Sequence, residues 1–250
     1  LPCKHTELIY FPDYETLAYE TTKPNKQIIA ERSKALFHLN YQKSSIIVTT
    51  PSALFTPIPE PSHIIDHCID LSVDQELNIT NFIDHLSQSY DIATEVSEVG
   101  QYARRGNMID IYPNGSKLPC RIELDDDVIY SIRYFDPISQ KSLKPCHNIS
   151  IIPYQEILLN SQNKKRFDEQ WKSMCFPTKH PYRTTMTQAK QSLGIHDYLP
   201  LFFEKTIYLF DQINRFDSIF ISAIHPHKAL DTLQAEYEHQ YKANASLPML

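Results

Sequence analysis

His63, His67 and Cys68 stand close enough along the chain to raise the question of a metal site. Imidazole and thiolate are the usual zinc ligands, and on a helix two histidines four residues apart would share a face. The surrounding HIIDHCIDL is β-branched and reads as extended, so these three are expected to be ordinary loop-to-strand residues. His225 and His227, on either side of Pro226, make no better case. The five cysteines (Cys3, Cys68, Cys120, Cys146 and Cys175) are odd in number and contain no CxxC pair, which argues against a zinc ribbon or a disulfide framework. Asp125, Asp126 and Asp127 offer three consecutive carboxylates, the chemistry of a hard cation or of acid–base catalysis. Between two β-like segments, such a run is more simply a solvated turn. Only four glycines occur, Gly100, Gly106, Gly115 and Gly194, and none has the spacing of GxxxxGK[ST] or GxGxxG. No phosphate-cradling loop can therefore be written on this chain, and GxSxG and HExxH are absent as well. Nothing in these residues requires an enzyme, a cofactor or a metal.

Composition narrows the class further. A 42% hydrophobic share over 250 residues supports real cores, in one large domain or two to three smaller ones. Lys and Arg number 24 against 30 Asp and Glu, a net charge of −6. Free-standing nucleic-acid binders draw affinity from neutralising phosphates, so this balance argues against autonomous DNA binding. No run of 18 apolar residues is present, so no membrane span is expected. The opening LPCKHTELIY lacks the basic-then-apolar layout of a signal peptide, so a cytoplasmic location is expected.

The elements that must position any site fall into three stretches. In residues 1–66, Ile28, Ile29, Arg32, Ala35, Leu36 and Leu39 predict a helix over Lys26 to Asn40. SIIVTT over 45–50 predicts a short strand, buried if helices flank it; Pro51 opens a short helix, and Pro57, Pro59 and Pro61 break regularity. In residues 67–152 a strand at Ile69–Val73 precedes a helix from about Asn81 to Tyr90, capped by Asn78 or Thr80. Strands are then expected near 92–96, 108–112, 120–124, 128–135 and 149–152, with turns at Asn114-Gly115 and Asp125–Asp127. That pattern is a small α+β domain with a mainly antiparallel sheet. In residues 153–250, a helix over 161–174 turns Phe167, Trp171 and Met174 to one side. An apolar stretch over 199–210, a strand at 218–224 and a helix over 227–243 follow.

The block EVGQYARRGNMIDIYPNGSKLPCRIELDDDVIYSIRYFDP carries Gly100, Gln101, Tyr102, Arg105, Gly106, Asp110, Pro113, Gly115, Ser116, Pro119, Arg121, Asp127, Ile129, Ser131, Arg133, Phe135 and Asp136 at fixed offsets. In that pattern it resembles the second domain of the UvrB-like module with which the transcription-repair coupling factors (Mfd) begin. Outside the block, PDYETLAYE, IIVTTPSALF, ISIIP and YLPLFFEKTIYLFD resemble further segments of the module in the same order.

The resemblance implies a fold: a degenerate helicase-like α/β domain without nucleotide motifs, interrupted by a small, mainly antiparallel α+β domain. The corresponding boundaries are 1–66 for the first half, 67–152 for the inserted domain and 153–250 for the second half. It implies that a first βα segment and all motor domains lie outside this chain, which would leave apolar faces of Ile46–Val48 uncovered. It also implies a function, recruitment of UvrA to stalled RNA polymerase in transcription-coupled nucleotide excision repair, without catalysis or cofactors in this part. RNA polymerase and DNA would be engaged by the ATP-dependent translocase parts of full-length relatives. By position, the arginines that the family uses on an exposed sheet face are Arg105 and Arg121. The other reading of either is an intradomain salt bridge, for instance with Glu123 or Asp110. Asp125 departs from the family, which commonly has an aromatic there; Arg104 adds a second positive charge, and Tyr102 is a candidate substitute aromatic. The alternative function is a nucleic-acid-binding, UvrB-like fragment without ATPase activity.

Overall fold

The computed structural model describes residues 7–16, 24–40, 45–158, 160–174, 195–216 and 226–243, and shows a mixed α/β protein. Its elements begin with β1 (Glu7–Phe11), α1 (Lys26–Asn40), β2 (Ser45–Thr49), α2 (Pro51–Phe55), β3 (Pro57–Pro59), α3 (Ser62–Ile65), β4 (Ile69–Ser72) and α4 (Ile79–Leu86). They continue with β5 (Asp91–Ile92), β6 (Gln101–Arg105), β7 (Met108–Ile111), β8 (Cys120–Asp125), β9 (Val128–Phe135), β10 (Ser142–Cys146) and β11 (Asn148–Ile151). Then come α5 (Ser161–Ser173), α6 (Leu199–Phe202), β12 (Thr206–Tyr208) and α7 (Pro226–Ala243). The chain divides into two compact units. One comprises Leu1–Ile28, Gln42–Glu60 and Leu159–Leu250; the other comprises Ile29–Tyr41 and Pro61–Leu158.

In the first unit, β1 and β2 pair in parallel with Leu8 opposite Ile46 and Tyr10 opposite Val48. Ile9 and Phe11 are buried, whereas Leu8, Tyr10, Ile46 and Val48 are exposed. The strand at 45–49 is thus covered on one face only, not on both. The prolines at 57 and 59 do not prevent a strand, since β3 pairs antiparallel with β12. Two residues apart, both prolines present their missing N–H on the same side, and Ile58 is left between them in the pairing. Asn160 caps α5 by accepting from the Asn163 N–H at 2.8 Å, and Phe167 stacks on Phe202 with ring centroids 4.7 Å apart. The strand expected at 218–224 lies outside the described residues.

The second unit is built on a six-stranded sheet in the order β10-β9-β8-β7-β6-β5, antiparallel except for the β5–β6 pair. Two of its strands, β6 and β10, were not expected from the sequence pattern. Strand β11 pairs instead with β4, outside the main sheet. Gly106-Asn107 connects β6 to β7 and Asp126-Asp127 connects β8 to β9, with φ of 63° at Gly106 and 49° at Asp126. Tight hairpin turns demand such left-handed conformations, which glycine and aspartate tolerate best. Gly100 is constrained twice, because its φ is 86° and a Cβ there would lie 2.6 Å from the Tyr154 ring. Helix α4 begins at Ile79, earlier than its apolar pattern suggests, because the Asn78 side chain accepts from the Asn81 N–H.

One sheet face packs on Leu71, Phe82 and Leu86, forming the unit's main core with Tyr102, Ile109 and Ile122. The Ile29–Asn40 part of α1 joins the same unit, although sequence alone grouped that helix with the first stretch. Its Arg32 occupies an apolar-spaced position yet is fully buried, because its guanidinium pairs with the buried Glu156. Asn114, at the expected turn, is itself buried and donates to Ala30 O at 3.0 Å and Pro153 O at 3.2 Å. Those bonds tie the turn to α1 and to the chain after β11.

Candidate functional site

Strand alternation decides which side chains share the sheet's outer face. Along β8, Cys120, Ile122 and Leu124 are buried in the core, so Arg121, Glu123 and Asp125 point the other way. Cross-strand register extends this into two rows. One row runs Ala103, Asp110, Arg121, Arg133, and the next runs Arg105, Met108, Glu123, Ser131. At the first row, Ala103 packs in a small buried cluster with Val96 and Phe135. The second lies toward the two hairpin turns.

Arg121 makes a bidentate ion pair. Its Nε donates to Asp110 Oδ1 at 2.8 Å and its Nη2 to Oδ2 at 2.9 Å. Asp110 is only 2% exposed and Arg121 15%, and the guanidinium also lies 5.0 Å from the centre of the Phe135 ring. The Asp110 bond holds the arginine above its ordinary pKa range, outweighing the opposing effect of burial. Of the two intradomain partners considered, Asp110 is therefore the one found. The pairing immobilises the guanidinium and satisfies its most directional donors.

Arg105 differs. Its side chain is 47% exposed, with Glu95 3.9 Å away, and its Nη2 donates to Thr94 O at 3.0 Å. An exposed pair at that distance restrains the side chain weakly. Arg104 precedes it in the strand and so projects to the opposite side, where its Nε donates to Gly106 O at 3.1 Å. The two charges do not add on one face. Tyr102 does not provide a surface aromatic: it is 3% exposed, lies in the main core beside Ile111, and burial pushes its phenol pKa up. Asp125 is exposed and pairs with Val128 at the mouth of the Asp126-Asp127 turn.

A residue that sequence reasoning passed over stands beside Asp125. Tyr130 is 56% exposed, whereas Ile129 and Ile132 on either side of the Tyr130-Ser131 pair are buried in the core. Between Glu123 and Leu124 the register shifts by one residue of β9, a β-bulge that inserts Tyr130 next to Ser131. The legible signal was the spacing of Ile129 and Ile132, three residues apart within a strand whose period is two.

The histidine segment departs from expectation. Ser62–Ile65 is a helical turn, not extended chain, and the rings of His63 and His67 lie with centroids 4.7 Å apart, tilted by 53°. Cys68 donates its thiol to Ile64 O, and His67 Nδ1 lies 2.8 Å from His63 O. These side-chain bonds to carbonyls four residues back, with the backbone bond from Asp66 N–H to Ser62 O at 2.9 Å, favour the turn over the strand that β-branching suggested. Among the described residues, no group of three or more His, Cys, Asp or Glu side chains is placed to hold a metal ion. No helix among them is long and apolar enough to cross a membrane.

The unit that carries this face has a known counterpart. Residues 69–156 match the family model described as the UvrB interaction domain. Beyond those residues, the chain is similar over most of its length to transcription-repair-coupling factors. It is 31% identical over 212 residues to that of Haemophilus influenzae, an alignment covering 83% of this chain and 18% of the relative. Against that of Rickettsia conorii it is 29% identical over 241 residues, covering 94% of this chain and 21% of the relative. The UvrABC system protein B of Thermosipho africanus is 30% identical over 158 residues, covering 63% of this chain and 24% of that protein. The chain thus spans about a fifth of the length of the curated coupling factors it matches.

Proposed function

We propose that this chain is a non-catalytic recruitment module that binds UvrA in transcription-coupled nucleotide excision repair, through the outer face of its six-stranded sheet. The observation that carries the reading is the placement of Arg105 and Arg121 on one face of the sheet within the matched residues. Arg121, clamped by Asp110, is a fixed positive ledge; Arg105, half exposed, is the arginine whose fork is available to a partner carboxylate. The residues outside the sheet unit form a degenerate helicase-like domain that the unit interrupts. RNA polymerase and DNA are engaged by parts of such proteins that this chain does not align with, and the whole operates in the cytoplasm.

The test is titration of the 250-residue chain with purified UvrA, wild type beside Arg105→Ala. Arg105 makes only weak contacts within its own unit, so its truncation should leave the melting temperature unchanged and weaken binding by about 30-fold. A folded wild-type chain that does not bind UvrA, or an Arg105→Ala variant that binds as tightly as wild type, overturns the reading.

A further inference from the structure

We infer that Tyr130, set on the outer face by a β-bulge in β9, is the aromatic anchor of this partner-binding face. This rests on the reading that the face binds a protein. Tyr130 is more than half exposed although Ile129, Ser131 and Ile132 around it are buried, and a β-bulge puts it there. Without the bulge, regular alternation from Ile132 would turn residue 130 inward. The extra residue keeps Ile129 in the core and sets the ring on the same side as Glu123 and Ser131.

The ring ends a row. Arg105, Met108, Glu123 and Ser131 follow one another across four adjacent strands, a span of about 14 Å at the usual strand spacing, and the bulged Tyr130 stands next to Ser131 at the end of that row. Arginine, methionine and tyrosine are the types concentrated at the centres of protein interfaces. Val128, also partly exposed and paired with Asp125, widens the apolar end of the row. Ser131 donates its hydroxyl to Glu123 Oε2 at 2.8 Å, which holds that carboxylate beside the ring.

The fitting occupant is a protein surface with an apolar pocket for Tyr130 and a carboxylate for Arg105. A phosphate backbone fits poorly, because Glu123, Asp125, Asp126 and Asp127 crowd the tyrosine end with negative charge. A strand-borne tyrosine has few torsions to order on binding, so its burial is inexpensive in entropy.

The experiment is titration of the chain with UvrA, comparing wild type, Arg105→Ala, Tyr130→Thr and Tyr130→Phe, with thermal melts of each. Threonine removes the ring but keeps a good strand former. Tyr130→Thr should weaken binding by about 30-fold with its melting temperature unmoved, and Tyr130→Phe should bind within about threefold of wild type. Wild-type affinity in Tyr130→Thr, alongside loss in Arg105→Ala, overturns the anchor and leaves the proposed function standing. No binding by the folded wild type overturns both. Single-stranded DNA binding at physiological salt that Tyr130→Thr abolishes overturns the anchor too, since the ring would then serve a nucleic acid.

Discussion

Removing Arg121 should destabilise the sheet unit, and this complicates the obvious binding experiment. Asp110 sits on the sheet with 2% exposure and both its oxygens engaged by one guanidinium. In Arg121→Ala that carboxylate stays in place without its partner. Breaking a buried pair from one side costs about 3–5 kcal/mol. Arg121 is 15% exposed, so water can reach part of the vacated space, and about 3 kcal/mol is the appropriate figure. For a unit of roughly 110 residues, that loss lowers the melting temperature by about 10 °C. Asp110→Ala/Arg121→Ala removes both charges, so it should be more stable than the sum of the single variants by at least about 1.5 kcal/mol. Urea unfolding of wild type, both singles and the double variant closes the cycle. Additivity within about 0.5 kcal/mol, or an Arg121→Ala melting temperature within about 2 °C of wild type, would refute the idea that this pair holds the sheet together. If the cycle closes as expected, lost UvrA binding in Arg121→Ala reports folding as much as contact, and Arg105 is the residue on which binding should be judged.

Two further measurements probe the frame around the face. Gly100→Ala combines a left-handed φ with a Cβ 2.6 Å from the Tyr154 ring and should cost about 3 kcal/mol or more, whereas Gly106→Ala, with the same φ sign but open space, should cost about 1 kcal/mol. Equal melting temperatures for the two variants would show that the Tyr154 contact does not constrain Gly100. Burial, reinforced by the neighbouring His67, pulls His63 down to about 4 from an ordinary 6.5, so the unfolded chain takes up its proton first as pH falls. The stability this group contributes is complete above about pH 6.5 and is lost between there and about pH 4, amounting to about 1–2 kcal/mol between about pH 7.5 and about pH 5. His63→Gln should flatten that slope in urea titrations, and an unchanged slope would remove His63 as its source.

Much of this protein was legible without coordinates. Period-3.6 spacing located α1 from Lys26 to Asn40, because a helix must bury one stripe whatever it packs against. Turn chemistry located the Asp126-Asp127 hairpin, since few residues tolerate a left-handed backbone, and fixed offsets of Gly100, Gly106, Arg121 and their neighbours pointed to the domain that residues 69–156 match. Tertiary structure decided what those local rules cannot see. Arg32 has apolar spacing but is a buried ion, because Glu156, more than a hundred residues away, meets it. Pro57 and Pro59 form a strand because Thr206–Tyr208 arrives to pair with the Ile58 between them. Tyr102, an exposed candidate by its neighbours, is core because α4 and β4 cover its face. Arg105 and Arg121 share a face, while Arg104 does not, only through the register of three strands, and Tyr130 joins them only through a bulge. Spacing along a chain encodes which residues can face together; which ones do depends on partners distant in sequence, and those are chosen by the packing of the whole unit.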